Sequence, residues 1–420
     1  MVERPLHAVV LPVTEAGGRL LELLAAALDG TGPAVLPLDP ELPAERLAAI
    51  LDAFAPAAVH TPDGVTRRAE SRPAGPDTAV VIATSGSTGP PKGVELSAAA
   101  LRHSARATLD RVGATPGQRW LLCLPATHIA GIQVLIRSLV TGTDPVVVAR
   151  ADADVLAGSG CAHVSIVPTQ LRRLLDADPD AAWARGFTSV LLGGAAAPAA
   201  LVDGARAAGV PVITTYGMSE TCGGCVYDGR PLDGVTVTTA DPAGAAAGGT
   251  DGGRAGGAAG DGRIRISGPV LFSGYRGRPD LTAAAMDGAW FVTSDLGLIG
   301  ADGRLAVRGR ADDVIITGGE KVVAGEVAAL LETCPGVREA AVVGRPDAEW
   351  GERVTAVIVP DNPAQPPTLD LLCRHVQQRL PRYALPRELV LRAAMPMLPS
   401  GKPDLETLRR EQSPAANVSR

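Results

Sequence analysis

Lysine is nearly missing from this chain. Of 39 basic residues only Lys92, Lys321 and Lys402 are lysines, and the other 36 are arginines. Arginine is the routine cation here, so a retained lysine is either chance or the mark of a place where a compact, deprotonatable ammonium or a flexible stem is wanted. Aromatic residues are also scarce, twelve in 420, too few for the stacking platforms of a single-strand nucleic-acid binder. A positive excess is lacking as well: the formal net charge is −6, without the basic stripe that nucleic acid selects. No apolar run reaches the ~18 residues of a membrane-spanning helix. Residues 1–10 enter a strand-like apolar run directly, without the pattern of a signal peptide. The six cysteines are mostly scattered, which suits a reducing compartment better than a disulfide framework. One pair, Cys222-Gly-Gly-Cys225, has metal or redox spacing. It has no second such pair and no histidine nearby, which argues against zinc. The expectation is a cytoplasmic protein with no nucleic-acid partner and no membrane insertion.

What is present is a long globular chain. Hydrophobic residues at 46% and charged residues at 20% exclude wholesale disorder, and 420 residues exceed one simple core. Apolar runs at 79–84, 120–124, 145–149, 164–167, 189–192 and 210–214 read as strands buried on both faces. Helical stretches at 98–112, 169–176 and 198–208 separate several of them. That alternation predicts an α/β domain with mainly parallel sheets. Residues 241–262 hold nine glycines and almost no large side chain, so they read as a surface insertion lengthening a hairpin loop between strands 235–239 and 263–267. Near residue 310 a new alternation begins: strand 313–317, helix 324–333, strands 337–344 and 353–359, helix 368–380 and strand 387–391. The predicted domains are therefore a large α/β unit at 1–309, with an antiparallel region, and a small mobile α+β unit at 310–420.

The chemistry concentrates first in Thr84-Ser-Gly-Ser-Thr-Gly-Pro-Pro-Lys-Gly93, which follows a buried strand. Open α/β sheets bind ligands at the carboxyl ends of their strands. Glycines let backbone N–H groups approach an anion, hydroxyls donate hydrogen bonds and the lysine adds charge, a combination suited to polyphosphate. A Walker loop needs Gly-Lys-Ser/Thr, whereas Lys92 stands between Pro91 and Gly93, which argues against a P-loop kinase or ATPase.

This loop resembles the signature of the adenylate-forming superfamily of acyl-CoA synthetases, stand-alone adenylation domains and luciferases. Further motifs of that family follow in order. Leu192-Gly-Gly-Ala-Ala-Ala-Pro198 resembles the adenine-binding turn, Tyr216-Gly-Met-Ser-Glu220 the YGxTE motif, and Thr293-Ser-Asp295 the TGD motif. Gly309-Arg-Ala-Asp-Asp313 resembles the hinge motif and Pro399-Ser-Gly-Lys402 the catalytic-lysine loop. The resemblance spans roughly residues 79–405. It implies two half-reactions: a carboxylate and ATP give acyl-AMP and pyrophosphate, then the CoA thiol displaces AMP.

By the same resemblance, Thr84, Ser85, Gly86, Ser87, Thr88, Gly89 and Lys92 would hold the β- and γ-phosphates. Gly193, Gly194 and Ala195 would border the adenine, with Thr215, Tyr216 and Gly217 beside it and Tyr216 stacked on the ring. Ser219, where the family usually has threonine, would donate to the α-phosphate. Glu220 would ligate Mg²⁺, a hard cation that takes carboxylate and phosphate oxygens. Asp295 would accept from the ribose hydroxyls and Arg310 would add a donor there. Lys402 would stabilise the charge developing during attack at the α-phosphate. Met397 and Leu398 stand where the family commonly has a basic residue and threonine, and Pro403 is unusual after the lysine. Asp312 matches the hinge about which the small domain would rotate, bringing Gly318, Gly319 and Lys321 to the acyl-adenylate in place of Lys402.

For the acid, His128 in Leu124-Pro-Ala-Thr-His-Ile-Ala-Gly131 matches the histidine bordering the acyl pocket. Gln133 and Arg137, one turn apart, share a helix face. Arg137 is either a surface residue or a partner for a second substrate carboxylate. The stretches 124–139 and 215–235 most resemble the o-succinylbenzoate–CoA ligases of menaquinone biosynthesis, of the short actinobacterial type. The phosphate loop also comes early, where most relatives carry a longer preceding region. Other aryl- or acyl-CoA ligases and an adenylation enzyme loading a carrier-protein thiol stay open, as does a homodimer.

Overall fold

The computed structural model describes residues 3–84, 91–240, 262–398 and 402–411. Of the expected features, Ser85, Gly86, Ser87, Thr88 and Gly89, residues 241–261 of the glycine-rich insertion and residues 399–401 of the C-terminal loop lie outside these. The chain divides into two compact units. The first comprises Met1–Gly194, Gly204–Val237 and Ile266–Val292, and the second Ala195–Asp203, Thr238–Arg265 and Thr293–Arg420.

Strands β1 (Leu6–Val10), β2 (Ala34–Leu38), β3 (Ala58–Thr61), β4 (Gly64–Arg67), β5 (Thr78–Thr84) and β6 (Lys92–Ser97) build most of one sheet. A second contains β7 (Trp120–Leu122), β8 (Val146–Val147), β9 (His163–Ile166), β10 (Ser189–Leu192), β11 (Val212–Met218), β12 (Gly223–Tyr227) and β13 (Arg230–Pro231). Next along the chain come β14 (Thr236–Ala240), β15 (Gly262–Ser267), β16 (Gly274–Tyr275), β17 (Met286–Asp287), β18 (Trp290–Ile299) and β19 (Leu305–Arg310). The last strands are β20 (Val314–Thr317), β21 (Glu320–Val323), β22 (Val337–Asp347), β23 (Gly351–Pro360) and β24 (Glu388–Leu391).

The first sheet runs β16-β6-β5-β2-β1-β3-β4 and the second β13-β12-β11-β10-β9-β7-β8. Their central pairs are parallel and their outer pairs antiparallel, except at the β8 edge of the second sheet, where β7 and β8 pair in parallel. The expected strand at 79–84 is buried on both faces, with Ala79, Val80 and Val81 at zero exposure, because neighbours flank it and layers cover it. Leu6, Ala8, Leu36 and Val81 pack with Ile50 and Phe54 of helix Ala44–Phe54. Burial of each large apolar side chain contributes about 1.5–3 kcal/mol before entropy is counted. β14 and β15 are neighbours in a third sheet with β18, β17 and β19, as expected for strands bracketing the insertion.

In the C-terminal sheet, β22 and β23 form a long antiparallel pair whose side chains alternate between two cores. Val342, Val354, Ala356 and Ile358 meet Val327, Leu331, Leu372 and Val376 from helices Ala324–Leu331 and Leu369–Gln377. Ala341, Val343, Val357 and Val359 meet Met395 and Leu408 on the other face. The period of two along each strand assigns these faces.

Between β5 and helix Ala98–Arg111 lies a strand that the sequence analysis did not single out. This strand, β6, is paired antiparallel with β5 so that Thr84 faces Lys92. Val94 and Leu96 are fully buried, and their hydrophobic demand is what turns the chain back along β5.

Candidate nucleotide and acyl site

Within the first unit, the β5–β6 stem fixes both ends of the phosphate loop. Thr84 Oγ1 donates to the Lys92 carbonyl at 3.3 Å, and Lys92 begins a strand rather than a helix, unlike a Walker lysine. Its ammonium lies 5.7 Å from the ring centroid of Tyr275, within the range of a cation–π contact.

Gly193 and Gly194 follow β10, and Thr215, Tyr216 and Gly217 lie in the second half of the neighbouring β11. Thr215 Oγ1 donates to the Leu192 carbonyl at 3.3 Å, and Gly193 N–H donates to the Ile166 carbonyl at 3.2 Å. Tyr216 is half-buried and registers with Val226. Gly217 is obligatory: a Cβ there would come within 2.0 Å of the Gly223 carbonyl oxygen. This close crossing lets β11 run into the short turn Ser219–Thr221. Thr221, with no exposure, accepts from Met218 N–H at 2.9 Å and holds that turn. Glu220 is thereby presented with its carbonyl accepting from Phe272 N–H at 2.9 Å. Its Oε1 accepts from the Tyr275 hydroxyl at 2.8 Å. Burial, reinforced by the Glu220 charge, pushes the Tyr275 phenol up, so it stays a donor. Lys92, Tyr275 and Glu220 thus form one cluster. Tyr275 escaped the sequence analysis, and the signal available was a scarce tyrosine in Ser273-Gly-Tyr275.

His128 is exposed at the start of helix Ile129–Thr141, with extended backbone at φ −105° and ψ 152°. Arg137, on the same helix, is not a surface arginine: it is 3% exposed. Its Nε donates to the Gln133 carbonyl at 2.9 Å and its Nη2 to Ser165 Oγ at 3.3 Å. The guanidinium stacks 3.9 Å from the Trp120 ring centroid. Burial draws its pKa down to about 10, opposed by the neighbouring Tyr227 hydroxyl. Among the described residues no carboxylate pairs with it. His163 stacks on Trp120 at 4.7 Å, and burial, then the charge of Arg137, lowers its pKa to about 4. A neutral histidine therefore adds no second cation beside the arginine.

Cys222 and Cys225 are fully buried. Burial raises both thiols, Cys225 to about 12, the opposite of a metal-binding thiolate. Among the described residues no group of three or more His, Cys, Asp or Glu could hold a metal ion.

In the second unit, Asp295 on β18 registers with Arg310 on β19, and their side chains lie 3.8 Å apart. Thr293, 1% exposed, accepts from Asp295 N–H at 3.0 Å and donates to the Ile264 carbonyl at 2.9 Å, orienting the aspartate. Arg310 also reaches Asp312 at 3.0 Å. Burial works against its charge, but Asp295, Asp312 and Asp313 outweigh it and hold the guanidinium up. Gly318 and Gly319, at φ +59° and +84°, make the two-residue turn between β20 and β21, the left-handed geometry such a hairpin demands. Lys321 follows, exposed on β21. Lys402 is exposed, and its carbonyl accepts from Leu398 N–H at 2.8 Å. The unusual Pro403 bridges to Met397. Asp404 caps helix Leu405–Arg410, whose Arg409 pairs with Asp313 at 2.6 Å. Ala195 also falls in this unit.

With this geometry in place, comparison with known proteins defines the class. The model of the AMP-binding enzyme family matches residues 62–276, and that of the AMP-binding enzyme C-terminal domain matches residues 326–402. The chain belongs to the AMP-binding enzyme family. Within it, the chain is 45% identical over 346 residues to a Mycobacterium tuberculosis protein named "Probable 2-succinylbenzoate--CoA ligase", covering 80% of this chain and 84% of that one. Among solved structures it is similar to o-succinylbenzoate CoA synthetase from Bacillus subtilis in complex with the acyl-adenylate intermediate OSB-AMP. That likeness has a TM-score of 0.79 at 25% identity and covers 98% of this chain and 89% of the other. The same Bacillus subtilis protein in complex with ATP and magnesium ion gives a TM-score of 0.77 at 25% identity, covering 98% and 90%. The resemblance read from the loops and the expected fold class both hold.

Proposed function

We propose that this chain is an ATP-dependent acid–CoA ligase that converts o-succinylbenzoate to its CoA thioester through an acyl-adenylate, in cytoplasmic menaquinone biosynthesis. The observation that carries the acid's identity is Arg137, a buried cation with no protein carboxylate among the described residues and a neutral histidine beside its aromatic shelf. A buried charge without a countercharge is costly. A substrate with a second carboxylate would supply the missing anion through a charge-assisted, bidentate contact. The Mycobacterium tuberculosis relative bears the name of the same activity, which supports this choice over other acyl-CoA ligases. The six unpaired cysteines accord with a reducing compartment, and no helix among the described residues is long and apolar enough to cross a membrane.

Roles follow from the chain's own groups. Thr84, Lys92 and the intervening loop hold the β- and γ-phosphates. Gly193, Gly194 and Ala195 border the adenine with Tyr216, Ser219 donates to the α-phosphate, and Asp295 with Arg310 holds the ribose. Glu220 fits a magnesium ion: one carboxylate oxygen is committed to Tyr275, and a lone carboxylate donor suits an ion that arrives largely coordinated by phosphates and water. When bound, magnesium neutralises charge on the phosphates. Lys402 stabilises the α-phosphate as the substrate carboxylate attacks and pyrophosphate leaves. His128 borders the acyl pocket, and residues 310–420 act as a unit whose turn at Gly318 and Gly319 serves thioester formation.

The test is pyrophosphate release from ATP with a panel of carboxylic acids, with and without CoA. O-succinylbenzoate is expected to support release, with a CoA thioester appearing when CoA is added. Release with benzoate or fatty acids but not o-succinylbenzoate would reject the substrate, and no release with any acid would reject the enzyme.

A further inference from the structure

The cluster that joins the phosphate-loop lysine to Glu220 contains an unexpected third member. Lys92 begins β6, Glu220 sits in the turn after β11, and Tyr275 on β16 lies between them. β16 is only two residues long, yet it is firmly placed. It pairs antiparallel with β6, Tyr275 opposite Val94. Tyr275 N–H donates to Thr282 Oγ1 at 2.9 Å, and its ring packs edge-on against Phe272 at 4.9 Å. The next residue, Arg276, is 5% exposed. It donates to the Phe54 carbonyl at 2.9 Å and pairs with Glu95 at 3.0 Å, clamping the strand to the sheet.

One side chain therefore touches both charges in different ways. Its ring face receives the Lys92 ammonium at 5.7 Å, and its hydroxyl donates to Glu220 Oε1 at 2.8 Å. Lys92 and Glu220 make no ion pair with each other, although they share this neighbour. A lysine and a glutamate so placed would neutralise one another if nothing stood between them, and each would then be lost to a ligand bearing both signs of charge.

We propose that Tyr275 is a positioning residue for the nucleotide site: it holds Glu220 and Lys92 apart and pre-aimed, so that the carboxylate serves the cation and the ammonium the phosphates of the same incoming Mg·ATP. The inference rests on the reading of Glu220 as the magnesium ligand. The ring satisfies the lysine without a formal charge, and the hydroxyl occupies one carboxylate oxygen while leaving the other to the metal. Loss of such a supporting partner typically weakens metal affinity by about 10–100-fold.

The test is calorimetric titration of the full-length protein, without the acid substrate, using ATP at graded Mg²⁺ concentrations and, separately, AMP without metal. Wild type is compared with Tyr275→Phe, which keeps the ring and removes the hydroxyl, and with Glu220→Gln. The expectation is that Tyr275→Phe raises the Mg²⁺ concentration for half-maximal ATP binding about tenfold and leaves AMP affinity unchanged. An unaltered Mg²⁺ requirement in Tyr275→Phe, with a clear shift in Glu220→Gln, would overturn the positioning role. An equal loss of ATP and AMP affinity in Tyr275→Phe would also overturn it, since that is the signature of a general structural defect. An unaltered Mg²⁺ requirement in Glu220→Gln would remove the metal reading of Glu220 itself, and the proposal with it.

Discussion

Arg137 acquires its meaning from neighbours that sequence spacing could not name. Its position one turn from Gln133 places the two on one helix face, which is legible from the 3.6-residue period. That the face is interior was not, because Trp120, Ser165 and Tyr227 reach it from β7, β9 and β12. A guanidinium that is 3% exposed and stacked on indole is held ready for an anion. Arg137→Ala is therefore expected to raise KM for o-succinylbenzoate by ~30-fold or more, since truncating one side of a buried charge pair costs about 2 kcal/mol or more. KM for a matched monocarboxylic acid should change far less. Steady-state kinetics on the two acids checks this, and wild-type KM for o-succinylbenzoate would remove Arg137 from the pocket.

The elements show the same division between what residue pattern reveals and what only pairing reveals. The turn between β11 and β12 was legible as a motif, but not as a crossing in which Gly217 lies under the Gly223 carbonyl. Gly217→Ala puts a methyl group into that contact, 2.0 Å from the oxygen. The expected cost is about 3 kcal/mol, at the upper end for overpacking, with a raised KM for ATP as the turn carrying Glu220 shifts. Chemical denaturation measures the first and pyrophosphate release the second; unchanged stability would contradict the crossing. β6 was missed for an equally local reason. Gly93 and the charged Glu95 interrupt its apolar pattern, and its strand character comes from Val94 and Leu96 packing beside β5. The alternating strands β22 and β23, by contrast, were predicted almost to their ends because each face has its own core.

At the scale of the whole molecule, the fold class was readable from the order of strands and helices, and the reaction from loops that carry unusual residues. Lysine usage ties the two together. Lys92 stands at the stem of the phosphate loop, Lys321 follows the two-glycine turn, and Lys402 precedes the helix that Arg409 anchors to Asp313. The proposed division of labour is that Lys402 serves adenylation alone, while thioester formation depends on the Gly318–Gly319 turn. The measurement that tests this most directly separates the half-reactions in Lys402→Ala. Pyrophosphate release from ATP and o-succinylbenzoate should fall by a factor on the order of 100 or more, the scale of losing a charge-stabilising donor at the reacting centre. Conversion of supplied o-succinylbenzoyl-AMP and CoA to thioester should continue at close to the wild-type rate. Equal loss of both steps, or full retention of the first, would contradict it.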